Sequence, residues 1–160
     1  MKENHPSITV GVTGLRDLTG FDMEALRDRI CAELHALRQG RDTARMLNSI
    51  AAGADQLCAE IGLSLGYELV CPLPFAAYRD DFQGDNLKRY DALLGKANDV
   101  LIVSDRTDKD AAYLAAGRYI ADHCDILAAV WDGRPQDSIC GTAAVAAYAR
   151  GLGKAIKIIS

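Results

Sequence analysis

The chain has 160 residues, 49% of them hydrophobic and 25% charged, an ordinary globular mixture long enough to bury one core and expected to form a single domain over residues 1–160. The net charge is −4 and no block of Lys or Arg occurs, which sets aside a basic nucleic-acid groove; the expected partner list therefore contains no nucleic acid. No apolar run is long enough to span a bilayer and the first residues carry no signal stretch, so no membrane partner is expected and the expected location is the cytoplasm.

In chain order, Ile8–Val12 has the pattern of a buried strand, and a helical period of Phe21, Met23, Leu26, Ile30, Leu34 and Leu37 follows, opened by Asp22 and closed by Gly40. Met46–Ile50 is a weaker strand, running through 51–55 into a helix that buries Leu57, Cys58, Ile61 and Leu65 and stops at Gly66. Glu68–Cys71 is the next strand, halted by Pro72-Leu73-Pro74, with a loop over 75–82 and a helix bearing Leu87, Tyr90, Leu94 and Ala97. Val100–Val103 is a strand, Asp108 caps a helix with Tyr113, Gly117 and Ile120, and Asp125–Trp131 is the most apolar strand. A helix of small residues over 141–151 and a strand over 155–159 close the chain. Continuous apolar strands alternating with amphipathic helices predict an α/β chain: a Rossmann-like, doubly wound, mainly parallel sheet with helices on both faces.

In such sheets ligands bind beyond the carboxyl ends of the strands, so the loops there are the candidate site. Gly11-Val12-Thr13-Gly14-Leu15-Arg16 combines two glycines that permit close backbone approach with Thr13 as a donor and Arg16 for a phosphate. Gly53, Ala54 and Asp55 open a helix whose N-terminal amides favour an anion. Tyr78 and Phe82 are candidates to stack on a base, and Arg79 to meet a phosphate. Asp132 and Gly133 end the most apolar strand, where a carboxylate reaches a ribose hydroxyl or a reacting centre; Asp132 is the candidate catalytic residue, with Asp55 and Asp81 next. Gly141 and Thr142 open the last helix, placed to cap it or to bind phosphate. The five cysteines form no C-x-x-C pair and fit buried free thiols. His5, His35 and His123 pair with nothing at ligand spacing, so neither a metal nor a cofactor is expected.

Gly11–Arg16, then Ala52–Leu57, Leu73–Phe75 with 78–82, Cys124–Leu127 with Trp131–Gly133, and Gly141-Thr142 together resemble, across nearly the whole chain, the SLOG superfamily. That superfamily groups the DNA-processing protein A type with the LOG, or lysine decarboxylase-like, nucleotide hydrolases. The resemblance implies a Rossmann-like domain that binds a nucleotide or nucleotide-derived small molecule, as sensor domains of bacterial anti-phage systems do. It also implies a homo-oligomer; a sensor would pass its signal to an effector protein or to a second copy of the chain. The hydrolases carry P-G-G-x-G-T-x-x-E; here Asp137, Ser138 and Ile139 stand for Pro-Gly-Gly and Val145 for the catalytic Glu. The expected function is therefore a ligand-binding sensor domain, with cleavage of a nucleotide N-glycosidic bond as the alternative and an assembly role with a vestigial pocket as a third.

Overall fold

The computed structural model describes residues 7–104, 108–136 and 141–160; Cys140 and the expectations placed on 137–139 lie outside them. Strands β1 (Ile8–Gly14), β2 (Ala44–Leu47), β3 (Glu68–Leu73), β4 (Asp99–Ile102), β5 (Ile126–Val130) and β6 (Ala155–Ile159) alternate with helices α1 (Met23–Arg38), α2 (Ala54–Ser64), α3 (Gly84–Lys96), α4 (Lys109–His123) and α5 (Thr142–Gly151). A single 3-10 turn, Tyr78–Asp81, interrupts the β3–α3 connection. The strands form one sheet in the order β4-β3-β2-β1-β5-β6, and every neighbouring pair is parallel.

Local chemistry explains the elements. Leu26, Ile30 and Leu34 recur at helical spacing on α1 and are fully buried, while Asp22 Oδ1 accepts the Ala25 N–H at 3.2 Å and caps the first turn. The end of α1 is tied to the start of β3 by the Tyr67 hydroxyl, which donates to the Leu34 carbonyl at 2.6 Å. Two glycines on β1 identify the faces. A Cβ at Gly11 would meet Ile120 of α4 at 2.7 Å, and one at Gly14 would meet Ala54 of α2 at 2.4 Å. Positions separated by an odd number point to opposite faces of a strand, so α2 and α4 cover opposite sides of the sheet. α1 and α3 pack beside α2, and α5 packs beside α4.

Strand ends depart from the expectation in several places. β2 stops at Leu47 because the Asn48 side chain turns the chain: its Oδ1 accepts the Ile50 N–H at 2.7 Å, its Nδ2 donates to the Asp55 carbonyl at 2.8 Å, and Ile50 takes φ +50°. β3 continues through Pro72 to Leu73, since its proline forgoes only its own donor while its carbonyl accepts the Ser49 hydroxyl at 2.6 Å. β1 runs two residues further, to Gly14 paired with Val130. The apolar β4 is an edge strand rather than a covered one, with Val100 42% and Ile102 49% exposed. Cys58, Cys71 and Cys124 are buried free thiols, as expected, whereas the free Cys31 is exposed. Among the described residues no helix is long and apolar enough to cross a membrane.

Gly53 precedes α2 at φ +83° and ψ −122°, and a Cβ there would lie 2.3 Å from the Arg16 carbonyl oxygen. Gly133 has the same φ, +83°, with nothing within 4 Å of its Cβ position. Gly53→Ala is expected to destabilise the protein by about 3 kcal/mol or more, and Gly133→Ala by only about 1 kcal/mol, in denaturant unfolding.

Candidate functional site

β1 is the strand at which the connections diverge. α1 carries the chain from β1 to β2 on one side, while α4 returns it from the far edge strand to β5 on the other. The carboxyl ends of β1 and β5 therefore open onto a crevice. A cavity of about 370 Å³ lies there, walled by the end of β1 and the loop after it (Thr13 to Arg16), the β2–α2 turn with the first turn of α2 (Ser49, Ala51, Asp55), Pro74 and Tyr78, one face of α4 (Asp110, Tyr113, Gly117) and the start of α5 with Gln136 (Gly141, Thr142, Val145).

Seven of the residues singled out from sequence stand in that wall: Thr13, Gly14, Arg16, Asp55, Tyr78, Gly141 and Thr142. The others lie elsewhere. Gly11 is deeper in β1, against Ile120 and Cys124. Gly53 sits beneath the Leu15 and Arg16 carbonyls, and the Ala54 N–H is held by the Leu15 carbonyl at 3.0 Å. The first turn of α2 thus presents the Asp55 carboxyl to the cavity, not a row of open amides for an anion. Arg79 is outside, in a two-pronged pair with the Asp91 carboxylate at 2.9 Å. Phe82 is buried and lines an adjoining cavity of about 200 Å³, which shares Arg16, Ala51, Tyr78 and Tyr113 with the larger one. Asp132 turns back on its own loop: Oδ1 accepts the Arg134 N–H at 3.0 Å and Oδ2 lies 3.3 Å from the Arg134 guanidinium, with Gly133 completing the bend. Trp131 is core, its indole N–H donating to the Arg134 carbonyl.

The wall residues have distinct environments. Asp55 is 8% exposed; Oδ2 accepts only a long bond from the Ala51 N–H at 3.4 Å, and Oδ1 has no partner. Burial pushes its pKa up to about 7, against the pull of the Ala51 amide and the Arg16 guanidinium. Arg16 lies over the Tyr113 ring, 4.7 Å from its centroid. Tyr113 donates its hydroxyl to Asp81, which also accepts from Lys109 at 2.7 Å, so the 3-10 turn is clasped to α4. Burial, then the Asp81 bond, raises Tyr113 to about 12. For Asp81 burial works against ionisation, but the bonds from Lys109 and Tyr113 outweigh it and hold the carboxyl below its usual range. Tyr78 is ringed edge-on by Phe75, Phe82, Tyr90 and Tyr113 at 4.9 to 6.1 Å, so it is a packing hub with one side on the cavity. At the start of α5, Thr142 is buried and the Ala143 N–H donates to Gln136 Oε1 at 2.8 Å, so this helix end already holds an oxygen.

Ser49, Asp110, Tyr113, Gly117 and Gln136 are wall residues that sequence reasoning missed. Tyr113 and Gly117 share the apolar stripe of α4 with Ile120, a period that signals core and cannot say that one end of the stripe opens onto a cavity. Val145 lines the cavity as a buried apolar residue where the hydrolase motif has its Glu. Among the described residues no three His, Cys, Asp or Glu side chains gather as a metal-binding set.

The buried carboxyl makes a stability prediction. With a folded pKa near 7, above the ordinary value of 3.8, the native state holds the proton more tightly than the unfolded chain, so Asp55 erodes stability as pH rises through that interval. Asp55→Asn is expected to melt like the parent at the acid end, then to gain over it as pH rises, with the full gap present above about pH 7 and worth several degrees in thermal unfolding.

No family model matches the sequence, and no curated protein matches it. Solved structures do share the fold. DNA processing protein A from Streptococcus pneumoniae superposes with a TM-score of 0.70 at 17% identity over 94% of this chain and 50% of that one. DNA processing protein A from Helicobacter pylori, described for its single-stranded DNA binding mode, gives 0.65 at 17% identity over 94% of this chain and 64% of that one. TM1055, a structural genomics target, gives 0.57 at 17% identity, over 93% and 72%. The chain thus spans about half to under two-thirds of the length of the two DNA processing proteins. The likeness overturns the exclusion of nucleic acid drawn from net charge: a protein of this fold binds single-stranded DNA. Net charge sums the whole surface, whereas a strand is held by a few local cations, amides and stacking rings. At 17% identity the likeness shows the fold: the chain carries the Rossmann-like, parallel α/β arrangement of these solved structures.

Proposed function

We propose that this chain is a ligand-binding module whose cavity at the carboxyl ends of β1 and β5 takes a nucleotide or a nucleotide-derived molecule, acting as a sensor. The observation that carries the reading is convergence. Gly14 with Arg16, and Gly141 with Thr142, come from loops far apart in the chain and meet in one cavity of about 370 Å³, a size that suits a small ligand. Arg16 supplies a cation at the rim, and the α5 N-terminus supplies amides and the Thr142 hydroxyl for a phosphate. The Gln136 oxygen on the Ala143 amide occupies the kind of position a phosphate oxygen would take.

Binding is favoured over hydrolysis by two placements. The motif position of the catalytic Glu is the apolar Val145, and Asp132 is engaged with Arg134 outside the cavity. A second reading comes from the fold likeness to the Helicobacter pylori protein: the same cavity would accept a nucleotide unit of a single strand, which has the same phosphate and sugar chemistry.

The test is a melting series with nucleoside monophosphates, cyclic nucleotides, ADP-ribose and a short oligo(dT), with released base followed by chromatography. A ligand at about a hundredfold its Kd stabilises by about 2.7 kcal/mol, a rise of several degrees, and no base should appear. Arg16→Ala and Thr142→Ala should each weaken binding about tenfold or more without unfolding the protein. If no member of the series raises the melting temperature, or if both variants bind as the parent does, the reading fails; release of free base would move it to the hydrolase.

A further inference from the structure

The Asp55 carboxyl is a polar group of the cavity wall that phosphate binding does not use. Its carboxyl stands in the cavity wall, is more than nine-tenths buried, and leaves Oδ1 without a hydrogen-bond partner. Buried polar atoms are nearly always paired, and an orphan inside a cavity wall is the mark of a group that a ligand completes. Resting on the ligand reading above, we propose that Asp55 is the specificity-determining residue of the cavity: it accepts a hydrogen bond from a hydroxyl or amino group of the ligand. The site then selects a phosphorylated molecule that carries such donors, a ribose phosphate unit, over a bare oxyanion. The chemistry follows from the mixed lining of the cavity. Arg16 and the start of α5 take acceptor oxygens, whereas an ionised carboxylate takes only donors and repels an oxyanion. A ribose phosphate unit has both kinds of group, while an oxyanion such as sulfate has acceptors alone.

Proton linkage makes the role measurable. The titratable or charged groups around Asp55 are Arg16 from the loop after β1, Cys58 on its own helix, Cys71 on β3, Tyr78 on the 3-10 turn, and Asp110 and Tyr113 on α4 across the cavity. Burial pushes both thiols and both phenols upward, Cys71 and Tyr113 to about 12. Of the groups with displaced values, Asp55, at about 7, is the one that changes charge near neutrality. Donor-bearing ligands bind its ionised form, so they bind more tightly as pH rises.

The experiment measures the Kd of ADP-ribose, AMP and sulfate by calorimetry between about pH 6 and about pH 8 on the full chain and on Asp55→Asn. ADP-ribose, none of whose own groups titrates in that interval, is expected to tighten about tenfold with rising pH, following the ionised fraction of Asp55. Sulfate is expected to weaken over the same interval. In Asp55→Asn both dependences should flatten, with ADP-ribose weaker than in the parent at the alkaline end and sulfate stronger. A raised melting temperature at the alkaline end shows that the variant is folded. If the parent binds ADP-ribose or AMP, but Asp55→Asn keeps the parent's affinity and pH profile, the Asp55 assignment falls and the ligand reading stands. If the parent binds neither, the Asp55 assignment falls, and the ligand reading falls with it when the rest of the melting series is silent too.

Discussion

The site depends on how closely the loop after β1 approaches the start of α2. Gly14 and Gly53 leave no room for a side chain at that contact, and the Ala54 amide bonds the Leu15 carbonyl across it. Because neither backbone can move apart without breaking that bond, Arg16 and Asp55 are held in one cavity wall although 39 positions separate them, the difference between 55 and 16. The Asn48 side chain supplies the other half of the constraint by bending the chain out of β2 and bonding the Asp55 carbonyl, which fixes where the carboxyl enters.

This rigidity has an electrostatic consequence. A carboxyl held at a buried helix start with one unpartnered oxygen is poorly solvated, and nothing in the protein fully compensates it. At the adjoining smaller cavity the opposite strategy operates. Asp81 is satisfied by Lys109 and Tyr113, and its ionised form is a clasp that holds the aromatic turn against α4. The two carboxyls thus divide between them the tasks of building the wall and leaving an open bonding position within it. Arg16, laid over Tyr113, joins the two regions.

The likeness to longer DNA processing proteins concerns a shared scaffold, and what a scaffold of this kind binds is decided by loops. Here the loop after β5 folds on itself through Asp132 and Arg134, and the first turn of α5 exposes an apolar Val145 to the cavity. Those local choices, more than the sheet order, carry the proposed reading of a binding site over a hydrolytic one.

The sequence by itself determined the alternation of strands and helices, the parallel sheet, and the end of the strands at which the cavity-lining loops collect. These follow from hydrophobic period and chain connectivity, which are local or nearly so. It misjudged strand ends where a side chain captured the backbone, as Asn48 did, or where Pro72 was tolerated, and it did not show that the apolar β4 lies at an edge. Only the tertiary structure decided that Asp55 faces the cavity while Asp132 does not, that Arg16 stands at the rim while Arg79 pairs with Asp91, and that Tyr113 belongs to the wall. The physical reason is that a side chain's direction and solvation are set by neighbours brought from distant parts of the chain, and no spacing along the sequence encodes them.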